Sequence, residues 1–466
     1  MSEPTKEYPV EIAVPIEDKH FGFWDMTATW LGANACTGSW YTGGVIAALG
    51  LSGAIVSLLI ANPIAYLVLA LIGYMGYKVG TTTMGLARVS FGIRGSVLPS
   101  TLNTIQFVGW CAVNTFIAAI SLSYLFQGMF GWAPYGEAGS TFGMVIGILL
   151  LSVMQIALTV IGGTRSIKIG ERVASVLLIF LTLWMTIVVF KTFSWEQITA
   201  WRPPTDISMP FGRALDVLAA FTFGWVPAIA EFTRYARNKS TSTIAPVLGA
   251  NVSLFWFALT GALGVIAATM ITGVYDPNTS DPSSIMGSLG LGWVAFLVLV
   301  MATVTTNTIN IYAAGMSTAN IFPKIKTFTA IWVVAIIALI GSLVPLIVGS
   351  FLDSFMYFLD YIGATLTPLF AILIIEYFVL RKGRYDWSQS AKVGGDYWYS
   401  NGVNWTCIAV WVVGVVICLV MRALPMGDTF GAIYPTLVIT AILYWIAQKA
   451  TLNNAKLNES KIGRNL

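Results

Sequence analysis

The chain has 466 residues, 57% of them hydrophobic and only 10% charged, with 25 Lys and Arg against 21 Asp and Glu and a formal net charge of +4. That composition excludes an ordinary soluble globule and assigns the chain to the integral membrane proteins. The small positive excess gives no reason to expect a nucleic-acid partner.

The opening 25 residues are polar and acidic and contain Pro4, Pro9 and Pro15. They lack the basic segment and short apolar core of a cleaved signal peptide, so the first apolar span is expected to stay in the protein. Twelve apolar runs then follow, at about 24–50, 53–77, 97–127, 142–163, 170–190, 210–236, 243–273, 291–320, 327–350, 354–380, 403–422 and 429–449. Each is long enough to cross about 30 Å of hydrocarbon as an α-helix. The alternating pattern of membrane β-strands is absent, which argues against a barrel.

The first span carries LGANACTGSWYTGG, from Leu31 to Gly44, with four glycines and several small polar residues. Backbone that leaves the helix inside a membrane has to be enclosed by protein or line a cavity. In the third span, NTIQFVGWCAVNTF from Asn103 to Phe116 puts Trp110 and Asn114 at i, i+4 on one helical face. An aromatic plane beside an amide suits a flat, hydrogen-bonding heterocycle. The sixth span contains FTFGWVPAIAE, Phe221 to Glu231, where Gly224 and Pro227 interrupt the apolar run. Spans one and six stand five apart, the offset expected of matching helices in two inverted five-helix repeats. Discontinuous helices present free carbonyls to a cation and free amides to a substrate, whereas small residues for close helix packing are the simpler alternative.

The eighth span reads ATVTTNTINIYAAG, with Thr305, Thr306, Asn307 and Asn310 close together. Hydroxyl and carbonyl oxygens without a carboxylate suit Na⁺, although a lone threonine commonly bonds back to its own helix. In the tenth span, Asp360 is an ionisable group within MYFLDYIGATLTP. Such a group is unfavourable by several kcal/mol unless paired or wetted, so it is a candidate for coupling, gating or binding a cationic substrate, or for a structural ion pair. Asp25 and Glu231 lie near helix ends, where capping or pairing with Arg234 accounts for them as well as a coupling role does. Cys36, Cys111, Cys407 and Cys418 all sit in apolar spans without metal-ligand spacing, and neither a disulfide nor a metal centre is expected of them.

The cations alternate between connections. Lys78, Arg88 and Arg94, then Arg165, Lys168 and Arg172, then Arg234, Arg237 and Lys239, then Lys324 and Lys326, and finally Arg381, Lys382, Arg384 and Lys392 mark the even ones. By the positive-inside rule these connections and both termini are expected in the cytoplasm.

Several of these segments, taken together, resemble the nucleobase:cation symporter family one. They are SWYTGG, FGIRGSVLPS (Phe91 to Ser100) followed by Trp110, EFTRYARN (Glu231 to Asn238), the TTN run with YAAG and TAN beyond it, and RKGRYDW. The resemblance implies an all-α integral membrane protein of LeuT-type fold with discontinuous helices 1 and 6. Residues 1–22 would be a cytoplasmic tail, 23–192 and 193–381 the inverted repeats, 382–402 a cytoplasmic loop, 403–450 two further helices and 451–466 a second cytoplasmic tail. It further implies a sodium site made by Gly32, Ala35, Ala302, Thr305 and Thr306. Substrate would stack on Trp110 and be read by Asn114, Asn307, Asn310, Gln106 and the stretch Asn34, Cys36, Gly38.

Two departures bear on specificity. The aromatic position expected in the sixth span falls on Thr222, flanked by Phe221, Phe223 and Trp225, and Gln106 lies four residues before Trp110 with Phe107 at i−3. The expected function is sodium-coupled import of a nucleobase or related planar N-heterocycle across the inner membrane by a monomer, without a cofactor. The alternative is a proton-coupled symporter of another heterocycle (a hydantoin, allantoin, a vitamin precursor or a cationic ring), with Asp360 and Glu231 as carriers. A channel would need a continuous polar pore. An enzyme would need an acid/base or metal cluster, and the only histidine, His20, precedes the first span.

Overall fold

The computed structural model describes residues 8–161, 163–322 and 324–462. The first span is two short helices, α1 (Phe23–Asn34) and α2 (Thr37–Ile46), followed by α3 (Gly50–Val79) and the short α4 (Thr83–Phe91). Then come α5 (Val97–Phe130), α6 (Thr141–Ile161), α7 (Gly163–Thr192) and the short α8 (Trp195–Ala200). The second half consists of α9 (Phe211–Thr233), α10 (Lys239–Thr272), the short α11 (Pro282–Ser288), α12 (Gly292–Ile321), α13 (Thr327–Val348) and α14 (Phe351–Ile374). The chain finishes with α15 (Trp405–Ala423), the short α16 (Pro425–Phe430) and α17 (Ile433–Ile462). Among the described residues, ten stretches are long and apolar enough to cross a membrane. Each expected span falls on a helix, or in the first case on a pair. Residues 1–7 and 463–466 of the expected tails, and the side chains of Arg165, Lys168 and Arg172, lie outside the described residues.

The first span breaks at Ala35 and Cys36, whose backbones leave the helical region (φ −77°, ψ 68° and φ −138°, ψ 164°). The sixth span does not break. α9 is continuous from Phe211 to Thr233 with Pro227 inside it. A proline removes one amide and so one i→i−4 bond, which surrounding packing can tolerate in a membrane helix. Here the neighbouring Gly224 carbonyl is taken up from the side by Gln106 Nε2 at 3.1 Å.

Every residue of α2 is buried. It lies so close to α10 that a Cβ on Gly43 would fall 1.9 Å from the Ala258 carbonyl oxygen, and one on Gly261 would fall 2.1 Å from that of Trp40. α1 meets the same helix in the same way, through Gly249 and the Thr27 carbonyl, and α3 meets α9 through Gly76 and Ala230. Small residues at such crossings allow main chains to touch and maximise dispersion contact where lipid offers no hydrophobic drive.

Several charged groups inside the helical body are paired. Asp360 on α14 bridges Arg213 at the start of α9 (2.7 Å) and Arg422 at the end of α15 (3.1 Å). Asp216, one turn along α9 from Arg213, accepts the amides of Ala432 and Ile433 at 2.9 Å and so caps the start of α17. The partners of Asp360 are therefore two arginines, and its carboxylate holds α9, α14 and α15 together. Near the other end of the bundle, Glu376 is buried between Arg381 (2.9 Å) and the Tyr444 hydroxyl (2.8 Å). Asp25 accepts the Gly22 amide at the start of α1, as a helix cap. Replacing Asp360 with Ala leaves two arginines facing each other. It should lower stability by about 2 kcal/mol, between the ranges for exposed and fully buried pairs. Thermal unfolding of the purified variant checks this, and an unchanged midpoint would contradict the role given to the cluster.

Candidate functional site

The break in the first span is where main-chain polar groups become available. Among the described residues, no backbone hydrogen bond joins the carbonyls of Ala33, Asn34 and Ala35 to the amides of Thr37, Gly38 and Ser39. Next to it is a cavity lined by Cys36, Gly38, Phe107, Trp110, Asn114, Phe221, Gly224, Trp225, Thr306 and Asn310. It holds about 370 Å³ of empty space. The shape is a slot rather than a chamber. None of its ten lining residues is charged.

Trp110 forms one wall. Its ring meets Phe221 edge-on at 5.3 Å and, on the α14 side, Phe358 at 5.1 Å and Phe355 at 6.3 Å. Gly224 lets it sit there, and Gly38 lies in ordinary contact with it. A Cβ on Gly224 would come 2.9 Å from Trp110 Nε1, and one on Gly38 would come 3.6 Å from Trp110 Cζ3. Of the four candidates on α9, Phe221 and Trp225 line the slot. Thr222 is fully buried away from it, and Phe223 packs instead against Phe370 at 5.6 Å.

The amides divide into those that face the slot and those that brace it. Asn307 is completely buried. It donates to the Cys111 carbonyl (2.9 Å) and the Thr115 hydroxyl (3.1 Å), while its Oδ1 accepts from Asn114 (3.1 Å) and Asn310 (3.5 Å). With its groups used internally, Asn307 orients Asn114 and Asn310, and these two residues line the slot. Asn34 also faces elsewhere, donating to Trp30 O and accepting the Tyr66 hydroxyl at 3.3 Å. Gln106 lies just behind Trp110 and Gly224. Its Nε2 is held by Asn103 and the Gly224 carbonyl, and its buried Oε1 has no partner.

The residues that the resemblance assigns to sodium fall in two groups. Ala302, Thr305 and Thr306 share one turn of α12, where both hydroxyls donate to the Ala302 carbonyl at 3.0 Å. Gly32 and Ala35 lie at the end of α1, with the Ala35 amide bonded to the carbonyls of Leu31 and Gly32. The start of α2 meets α12 through a Thr37–Thr303 hydroxyl contact of 3.3 Å, next in sequence to Ala302. Asp360 does not line the slot. Glu231 accepts from the amide and hydroxyl of Thr83 at 3.5 and 3.4 Å, and Arg234, three residues on, donates to the Tyr8 carbonyl.

One route from the slot is closed. Tyr41 packs on Phe351 and Phe355 at 4.9 and 4.8 Å, Phe116 stacks on Phe351 at 4.6 Å, and all four rings are at most 1% exposed. Phe355 and Phe358 were not anticipated from sequence. The one available signal is the density of aromatic residues in FMYFLDY on the tenth span.

The sequence profile described as permease for cytosine/purines, uracil, thiamine and allantoin matches residues 13–447. The chain belongs to this family, the nucleobase:cation symporter family one. Among its relatives is a Bacillus subtilis (strain 168) protein named putative purine-cytosine permease YxlA, 24% identical over 96% of this chain and 97% of that one. The solved inward-facing conformation of Mhp1 superimposes with a TM-score of 0.80 at 20% identity, over 97% of this chain and 96% of that one. A closed conformation of Mhp1 with bromovinylhydantoin bound gives 0.73 at 19% identity, over 95% and 96%. The permease therefore has a multi-pass LeuT-type fold.

Two substitutions separate wall from brace. Gly224→Ala pushes on the Trp110 indole and should weaken ligand binding by roughly tenfold, about 1.4 kcal/mol, with little change in melting temperature. Asn307→Ala strands the groups it satisfies and should lower stability by about 1–3 kcal/mol. Ligand titration and thermal unfolding of both variants read the contrast.

Proposed function

We propose that the permease is a secondary active importer of a small, uncharged, planar N-heterocycle of the nucleobase class, driven by sodium. The observation that carries this reading is the slot itself. It is a narrow, uncharged space with the Trp110 indole on one side and the oriented amides of Asn114 and Asn310 reaching into it. A flat ring can lie against the indole while its edge exchanges hydrogen bonds with amides that each offer donor and acceptor. A cationic ring would find no carboxylate there. The names of the relatives, purine-cytosine permease and a bromovinylhydantoin-bound transporter, support the same class.

The donor set near the break fits Na⁺. It consists of neutral oxygens only: carbonyls left without backbone partners by the break, the Ala302 carbonyl, and the Thr305 and Thr306 hydroxyls, which can turn away from that carbonyl. Bound there, the ion would supply a positive charge that holds the end of α1 to α12. The chain's own groups do the rest. Trp110 and Asn114 on α5 hold the ring, Gly38 and Phe221 close on it from α2 and α9, and the Tyr41–Phe351–Phe355–Phe116 layer keeps out water on one side. Given the expected orientation, with both termini in the cytoplasm of an inner-membrane protein, that layer closes the outer side and the slot faces inward.

A ligand moves such an equilibrium only by its difference in affinity for the two states. Substrate should therefore bind more tightly in sodium than in choline. A thermal-shift panel of cytosine, uracil, purines and hydantoins, followed by radiolabelled uptake into liposomes, measures this. Equal affinity at every sodium concentration would rule out sodium coupling, and uptake driven by a proton gradient alone would transfer the coupling to protons.

A further inference from the structure

The connection between α10 and α12, which includes α11, reads GVYDPNTSDPSSIMGSLG, with two aspartates and no lysine or arginine. Its second aspartate, Asp281, is 0% exposed. One carboxylate oxygen accepts the amides of Ser283 and Ser284 at 2.8 and 3.0 Å, and the other, Oδ2, has no hydrogen-bond partner. None of the four ion pairs among the described residues involves it. Two further buried polar groups around it are also without partners, Ser280 Oγ and the Tyr41 hydroxyl, on residues 1% and 0% exposed, and the Ser284 hydroxyl, on a residue 3% exposed, lies beside the carboxylate. Ser280 presses its main chain against Gly44 on α2.

The Asp281 carboxylate acts electrostatically on Tyr41 on α2, Tyr124 on α5 and Tyr135 beyond it, and Asp276, Glu137 and Asp353 each act on one or more of the same tyrosines. Burial, and then the nearby Asp281 and Asp276 carboxylates, push the Tyr135 phenol up. Ser280 also lines a second cavity with about 630 Å³ of empty space, together with Asp276, Thr269, Thr272, Thr279 and Ser288.

Unsatisfied buried groups in such number call for an occupant, and a buried carboxylate calls for positive charge. A proton on Oδ2 would supply a single donor and leave most of these oxygens unanswered. A divalent ion would bring more charge than one carboxylate balances. We propose that Asp281, with the hydroxyls of Ser280, Ser284 and Tyr41, forms a Na⁺ site separate from the break in the first span and loaded through the Asp276-lined cavity. The ion joins α11 to α2 directly behind Tyr41, which forms part of the closed aromatic layer.

The test is equilibrium binding of radioactive sodium to the full-length protein without substrate, in a Thr306→Ala background that weakens the proposed site at the break. Sodium binding should persist there and fall at least tenfold in affinity when Asp281→Asn or Ser284→Ala is added. Asparagine still caps α11, and unchanged thermal unfolding of either variant certifies the fold. Three results would each overturn the proposal: no sodium binding in the Thr306→Ala background, equal binding with and without Asp281→Asn, or Asp281-dependent proton release in place of sodium binding. Failure of sodium-coupled substrate binding in the otherwise unaltered protein would count against the function proposed above and leave this readout intact.

Discussion

The rest of this structure depends on a stretch of main chain that cannot be exposed to lipid. At Ala35 and Cys36 the first span stops being helical, and three carbonyls and three amides lose their backbone partners. In hydrocarbon each such group is unfavourable by several kcal/mol. The fold answers by enclosing the break: α2 is buried along its whole length, α10 lies in main-chain contact with it, and α9 and α5 bring Phe221 and Trp110 over Gly38.

That constraint also explains where charge is and is not. The slot is lined by neutral side chains, with amides oriented by Asn307, and the ion pairs stand away from it, where they join helices. Asp360 and Asp216 together connect α9, α14, α15 and α17, the accessory helices included. A neutral centre with charged fastenings allows the helices around the slot to shift without breaking a buried ion pair there.

Helix positions, the break at Ala35 and the pairing of Trp110 with Asn114 were legible in the sequence, because each rests on local spacing. What was not legible depends on partners far along the chain. Gly224 three residues before Pro227 reads as a helix break, yet α9 stays whole, and a Cβ on Gly224 would come 2.9 Å from the Trp110 indole nitrogen. Asn307 reads as a substrate ligand, yet its amide is used by Cys111, Thr115, Asn114 and Asn310. Asp360 reads as an isolated charge because Arg213 lies 147 residues upstream. Thr305 and Thr306 take the back-bonded rotamers that any helix offers a threonine, so the structure of the chain alone gives their hydroxyls a resting state rather than a role.

The glycine contacts have a mechanical meaning. Where Gly43 and Gly261 bring the backbones of α2 and α10 together, there are no intervening side chains to change rotamer and so no soft layer in which the two helices could slide. α1 and α2 thus meet α10 main chain to main chain at these crossings, whereas larger side chains stand between helices at other boundaries. One such boundary runs through the slot, with Cys36, Gly38, Phe221 and Trp225 on one bank and Trp110, Asn114, Thr306 and Asn310 on the other. A molecule lying there acts as mortar across an expansion joint, and its size and hydrogen bonds decide how far the joint can close.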